Sequence, residues 1–167
     1  MDLGSPGFQP RRAGLPGRLA LHKLIFENNC FALKEMAWCH LLVDLYGCNV
    51  DSLNNKELLE KALRDLSDIM GLRIILGPIL VHYAGKEGSP SGEGYSGFVV
   101  VAESHVSIHT DIRTGYASID VYSCKEFDVQ RIEEYLSRVF EPAEIEKQLI
   151  LRGLMLEKAG STAAGRA

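Results

Sequence analysis

The chain has 167 residues and a formal net charge of −4, and its basic residues are scattered apart from Arg11, Arg12 and Arg18, so nothing points to a nucleic-acid partner. With 46% hydrophobic and 24% charged residues it reads as one ordinary globular domain, long enough to bury a real core. No apolar run approaches the ~18 residues of a membrane helix, and the N-terminus lacks the apolar core of a secretory signal. The cysteines Cys30, Cys39, Cys48 and Cys124 show no CxxC spacing, which predicts a cytoplasmic protein with reduced thiols.

Residues 1–18, with four Gly, three Pro and three Arg, read as a disordered tail, and 19–39 as an extension of short strand and helical turns. His40–Gly47 alternates as a strand, and Cys48–Ser52 reads as a turn. Asn54 is the expected N-cap of a helix, with Glu57 as its capping-box partner. That helix carries Leu58, Leu59, Ala62, Leu63, Leu66, Ile69 and Met70 on one stripe and stops at Gly71. Leu72–Tyr83 reads as a buried strand broken near Gly77-Pro78, and Ala84–Gly94 as a flexible loop.

Ser96–Ala102 reads as a strand whose Phe98–Val101 run suggests burial on both faces. His105–His109 and Tyr116–Cys124 alternate, with a six-residue connection, and predict a hairpin. Asp128–Phe140 is an amphipathic helix with Val129, Ile132, Tyr135, Leu136 and Val139 inward, and Ile145–Leu151 a last strand. The tail from Lys158 reads as disordered, leaving 40–157 as the functional domain. The pattern predicts an α+β fold: a two-layer sandwich of a mainly antiparallel sheet with helices on one face. The other face needs cover, which a homodimer or higher homo-oligomer would supply.

The chemistry concentrates in Val99–Cys124. Gly94-Tyr95-Ser96-Gly97 is followed by Ala102-Glu103-Ser104-His105, His109-Thr110, Gly115-Tyr116, Asp120 and Cys124. In these residues and their spacing the chain resembles the pyruvoyl-dependent S-adenosylmethionine decarboxylase family in its short prokaryotic form. The resemblance runs from about His40 to Gly153. It implies that Ser104 attacks the carbonyl of Glu103, that an ester forms by N→O acyl shift, and that β-elimination then splits the chain. Ser104 becomes a covalent pyruvoyl group, the cofactor. Decarboxylating an amino acid leaves a carbanion that no natural side chain can accept, and a ketone that forms a Schiff base with the substrate amine supplies the sink. The resemblance also implies that Ser96 and His109 assist processing and that Cys124 returns a proton to the substrate α-carbon. A thiol is tunable for that role. His105 and His109, four apart on a strand, lie ~13 Å apart and cannot chelate one metal ion. A Ser-His hydrolase is disfavoured, because Ser104 has no GxSxG elbow and no marked third member.

Between His-Thr and Gly-Tyr the family has Trp-Pro-Glu, whose ring stacks on adenine and whose acid holds the ribose. This chain has Asp111-Ile112-Arg113-Thr114. The family's His-x-Phe-x-Pro segment is also replaced, by His82-Tyr83 and a longer loop. The catalytic positions persist while the nucleoside clamp does not. The first expectation is therefore a small basic amino acid as substrate, L-arginine or L-ornithine, with Asp111 on its distal cation and Arg113 on its carboxylate. S-adenosylmethionine itself, in spermidine biosynthesis, is the alternative, and an inactive regulatory homologue is a third.

Overall fold

A computed structural model describes residues 38–86, 88 and 92–153. The expected tails and most of the N-terminal extension lie outside the described residues. Six strands form one antiparallel sheet: β1 (Trp38–Tyr46), β2 (Ile74–Tyr83), β3 (Gly94–Val101), β4 (Ser104–Asp111), β5 (Tyr116–Ser123) and β6 (Glu144–Arg152). Their spatial order is β2-β3-β4-β5-β1-β6. The first strand is thus inserted between the hairpin's second strand and the last strand, so its pairing is entirely long-range. Three helices connect them: α1 (Val50–Leu53), α2 (Lys56–Ile69) and α3 (Val129–Phe140). This is the expected two-layer α+β sandwich.

Helix starts follow local hydrogen bonding. Asn55, not Asn54, caps α2 and accepts from Leu58 N–H at 3.0 Å. The expected turn after β1 instead holds the short helix α1, capped by Asn49, which shifts the next cap by one residue. Asp128 caps α3 through the N–H groups of Gln130 and Arg131. The strand expected to break at Gly77-Pro78 runs on as β2, with register shifts there against β3.

Alternate residues of the strands meet α2 and α3. Leu41, Val43, Leu45, Val99, Val101, Val106, Ile108, Ile119 and Val121 are buried with Leu59, Leu63, Leu66, Ile132, Leu136 and Phe140. Leu136→Ala should destabilise the fold by about 2–5 kcal/mol, read as a lowered urea midpoint with an unchanged m-value.

Among the described residues, no layer covers the opposite sheet face. Phe98 is 39% exposed and Val81 62%, and Ile79 stands beside them. Among the described residues the apolar run Phe98–Val101 is therefore covered on one face, contrary to expectation: an apolar run reports low polarity, not which layer covers it. Cys39 also departs from the reading of Cys30, Cys39 and Cys48 as reduced thiols. It is disulfide-bonded. Cys48 is free and buried, and burial pushes its thiol up to about 11.

Candidate active site

Two groups of candidate functional side chains stand apart on the sheet. The first is the β3–β4 junction. Ala102 and Glu103 turn the chain, tied down by Ala102 N–H donating to Arg73 O at 2.9 Å. Ser104 opens β4 with φ +152°, a conformation L residues rarely adopt, and such strain costs on the order of 1–3 kcal/mol. The backbone N–H of Cys124 donates to the Glu103 carbonyl oxygen at 3.2 Å. The peptide carbonyl next to Ser104 is thereby polarised by a fixed donor. Among the described residues, Glu103 Oε2 is buried without a hydrogen-bond partner.

The Cys124 segment is pinned on both sides. Ser123, fully buried and paired with Ser104, accepts from Lys125 N–H at 2.9 Å, and Lys125 Nζ donates to Gly71 O at 3.0 Å. The Cys124 thiol itself is free and exposed. Ser123 had no signal in the sequence; its part emerges only from the pairing of β4 with β5.

The second group is the pair Ser96–His109. These residues are register partners on β3 and β4, and Ser96 Oγ lies 2.6 Å from His109 Nδ1. They open on the uncovered face, at a hollow of about 400 Å³ walled by Ile79, Val81 and Phe98 and reaching Ser107 and Asp120. His109 is five residues along β4 from Ser104, or about 16 Å. Glu103, Ser104 and Cys124 are brought together, and so are Ser96 and His109, but within one copy the two groups do not meet.

Asp111 and Arg113 lie at the far end of the β4–β5 hairpin. The Asp111 carboxylate is occupied by backbone: Oδ2 accepts from Gly92 N–H at 3.0 Å and Oδ1 from Thr114 N–H at 3.1 Å. Burial raises its pKa, but these hydrogen bonds and the charge of Arg113 outweigh it and hold the carboxyl below the ordinary range. Stability from this anchor is therefore full above the unfolded carboxyl pKa and lost as pH falls through the lower folded value. A Cβ on Gly92 would meet Asp111 Oδ1 at 2.5 Å and Arg113 Cβ at 3.0 Å. Gly92 and Glu93 thus pack onto this tip. Asp111→Ala should loosen the tip, seen as faster amide exchange at Gly92 and Thr114.

Nearer the junction, Tyr122 on the open face is surrounded by Trp38, His40 and His105, with ring centroids 5.3–5.7 Å away, and by the Arg152 guanidinium at 4.5 Å. His40 Nε2 is 3.5 Å from Asp120 Oδ1, too long for a full hydrogen bond, and the atom is buried without one. Burial lowers the His40 pKa and outweighs the opposing pull of Asp120.

The sequence model described as S-adenosylmethionine decarboxylase matches residues 39–153. The chain belongs to that family. It is 35% identical over 117 residues to an S-adenosylmethionine decarboxylase proenzyme of Clostridium botulinum (strain Loch Maree / Type A3), covering 68% of this chain and 92% of the relative. A proenzyme of the same name from Caldicellulosiruptor saccharolyticus is 34% identical, covering 69% and 87%. The crystal structure of the adenosylmethionine decarboxylase from Aquifex aeolicus VF5 superposes with a TM-score of 0.56 at 31% identity, over 71% of this chain and 92% of that one. As a member of the S-adenosylmethionine decarboxylase family, the chain is a pyruvoyl-dependent decarboxylase whose covalent cofactor is made from Ser104. The strained serine and the polarised Glu103 carbonyl fit that conversion.

Proposed function

We propose that this self-processing enzyme decarboxylates S-adenosylmethionine in polyamine biosynthesis, at sites completed by a second copy of the chain. The self-processing reading rests on one observation, Ser104 in strained backbone beside a Glu103 carbonyl held by the Cys124 N–H. The substrate reading rests on relatives of that name that this chain matches over nearly their whole length.

In processing, Ser104 Oγ bonds to the Glu103 carbonyl carbon, and the carbonyl oxygen takes up charge against the Cys124 N–H. The Ser104 nitrogen leaves, giving an ester. His109 removes and returns the protons, with Ser96 fixing its ring. Loss of the Ser104 α-proton then expels the Glu103 carboxylate, and water releases ammonia to leave the ketone. The pyruvoyl group supplies the electron sink for decarboxylation. The exposed Cys124 thiol holds the proton delivered to the substrate α-carbon. Cys124→Ala should still cleave but lose about 10²–10⁴-fold in kcat, or release a misprotonated carbonyl product. A wild-type rate in this variant would make the thiol merely structural.

Because His109 is about 16 Å from Ser104 on its own strand, a second copy supplies the pair. The uncovered face suits such a partner. It exposes Phe98 and Val81, and β6 carries Arg152 at one end and Glu144 and Glu146 at the other. An isologous two-fold with the facing sheets antiparallel brings opposite charges together and would set Ser104 towards the other copy's His109. Sedimentation should give a dimer, and a fully active monomer would sink the arrangement.

A second reading, L-ornithine or L-arginine as substrate, is favoured by Asp111-Ile112-Arg113 in place of the aromatic and acidic clamp. The exposed Phe98 ring at the hollow offers another stacking surface for adenine, worth about 1–3 kcal/mol. CO2 release from each compound decides. A higher kcat/KM for S-adenosylmethionine supports the first reading, and the reverse selects the second. No helix among the described residues is long and apolar enough to cross a membrane. We place the enzyme in the cytoplasm. The Cys39 disulfide runs against that compartment's reducing chemistry, and thiol titration of protein purified without reductant tests it.

A further inference from the structure

We propose that Asp120 is the specificity residue that holds the positive charge of the substrate. The inference rests on the proposed decarboxylation at the Ser96–His109 hollow and deepens it. Every substrate considered carries a cation a few bonds from the reacting carbon: a sulfonium, an ammonium or a guanidinium. A carboxylate near His109 but not on it would hold that cation, alongside the Phe98 ring at the same hollow.

Asp111 is poorly suited, because both its oxygens accept backbone N–H groups. Asp120 meets the requirement. It is the register partner of Ser107, and His109 pairs with Ser118. Asp120 is thus the diagonal neighbour of His109 across β4 and β5, at about 7–8 Å. It reaches the same hollow as Ser96 and His109, whose walls are Ile79, Val81 and Phe98. Its side chain is 39% exposed, and Ser107 Oγ donates to it at 3.2 Å, which aims the carboxylate without neutralising it.

Among the described residues, His40 is the basic side chain at ion-pair distance. Burial lowers its pKa, so it is mostly neutral at physiological pH and leaves the charge of Asp120 uncancelled. A carboxylate against an apolar wall attracts a cation more strongly than one in open water.

The test uses the cleaved, full-length enzyme and whichever substrate it turns over, paired with a neutral analogue: S-adenosylhomocysteine for S-adenosylmethionine, or norvaline for ornithine. Asp120→Asn should raise KM for the cationic substrate about 10–100-fold. It should leave the inhibition constant of the neutral analogue within about twofold, with self-cleavage and kcat changed little. Asp120→Glu should recover part of the loss. His40→Gln, which removes the neighbouring ring and keeps the carboxylate, should preserve the preference for charge. Equal weakening of both ligands, or of neither, in Asp120→Asn overturns the assignment. A wild-type chain that turns over none of the three substrates fails earlier, at the proposed function itself.

Discussion

Ser104→Ala is expected to remain one 167-residue chain, where the wild type gives pieces of 103 and 64 residues, 1–103 and 104–167. The serine contributes both the nucleophile and the atoms of the ketone, so its loss removes the electron sink. Activity should fall about a million-fold or more, the low end of enzymatic rate enhancement. The nearest hydroxyl by register is Ser123, which is fully buried and already accepts from Lys125 N–H. It is a poor substitute. Alanine at position 104 still bears the strained φ, so the variant should fold with stability near that of the uncleaved wild type. Mass spectrometry and borohydride trapping of a carbonyl read the outcome. Cleavage at Glu103, or a trapped carbonyl, in Ser104→Ala would falsify the assignment of the cofactor to this serine.

The second large effect is complementation between two defective chains. His109→Ala should slow self-cleavage about 10²–10⁴-fold by removing the proposed proton carrier, and Ser104→Ala should not cleave. When the two are co-expressed and pair, the His109→Ala chain keeps its own Ser104 and faces an intact histidine from the other copy. That chain should now cleave at close to the wild-type rate, while the Ser104→Ala chain stays whole. A site working within one copy gives no rescue. Ser96→Ala should behave like a milder His109→Ala, because Ser96 orients the imidazole through the 2.6 Å contact. These outcomes separate a shared site from a dimer that is only structural.

The family and its chemistry were legible in the sequence because they depend on spacing along the chain. Ser96, Ser104, His109 and Cys124 keep fixed intervals, and alternation on β4 and β5 follows from the two-residue period of a strand. The α2 and α3 stripes were legible for the corresponding reason, a 3.6-residue period. The one-residue error at the α2 cap arose because Asn54 and Asn55 are both good caps, and only the short helix α1 decides between them.

What the tertiary structure alone decided is position across the sheet. Strand register makes Ser96 and His109 partners, and strand rise puts them out of reach of Ser104 in the same copy. The same register sets Asp120 diagonal to His109, although eleven residues separate them in the sequence. The setting of Asp111 was undetermined for a similar reason: its carboxylate reads as free in a hairpin tip, but the fold brings Gly92 N–H to it. Which face of β3 is covered was equally undetermined, because hydrophobicity states what a strand tolerates and packing states what it meets. The sequence by itself therefore determined the chemistry this protein carries out on its own backbone. The pairing of distant strands decided which side chains can share a site.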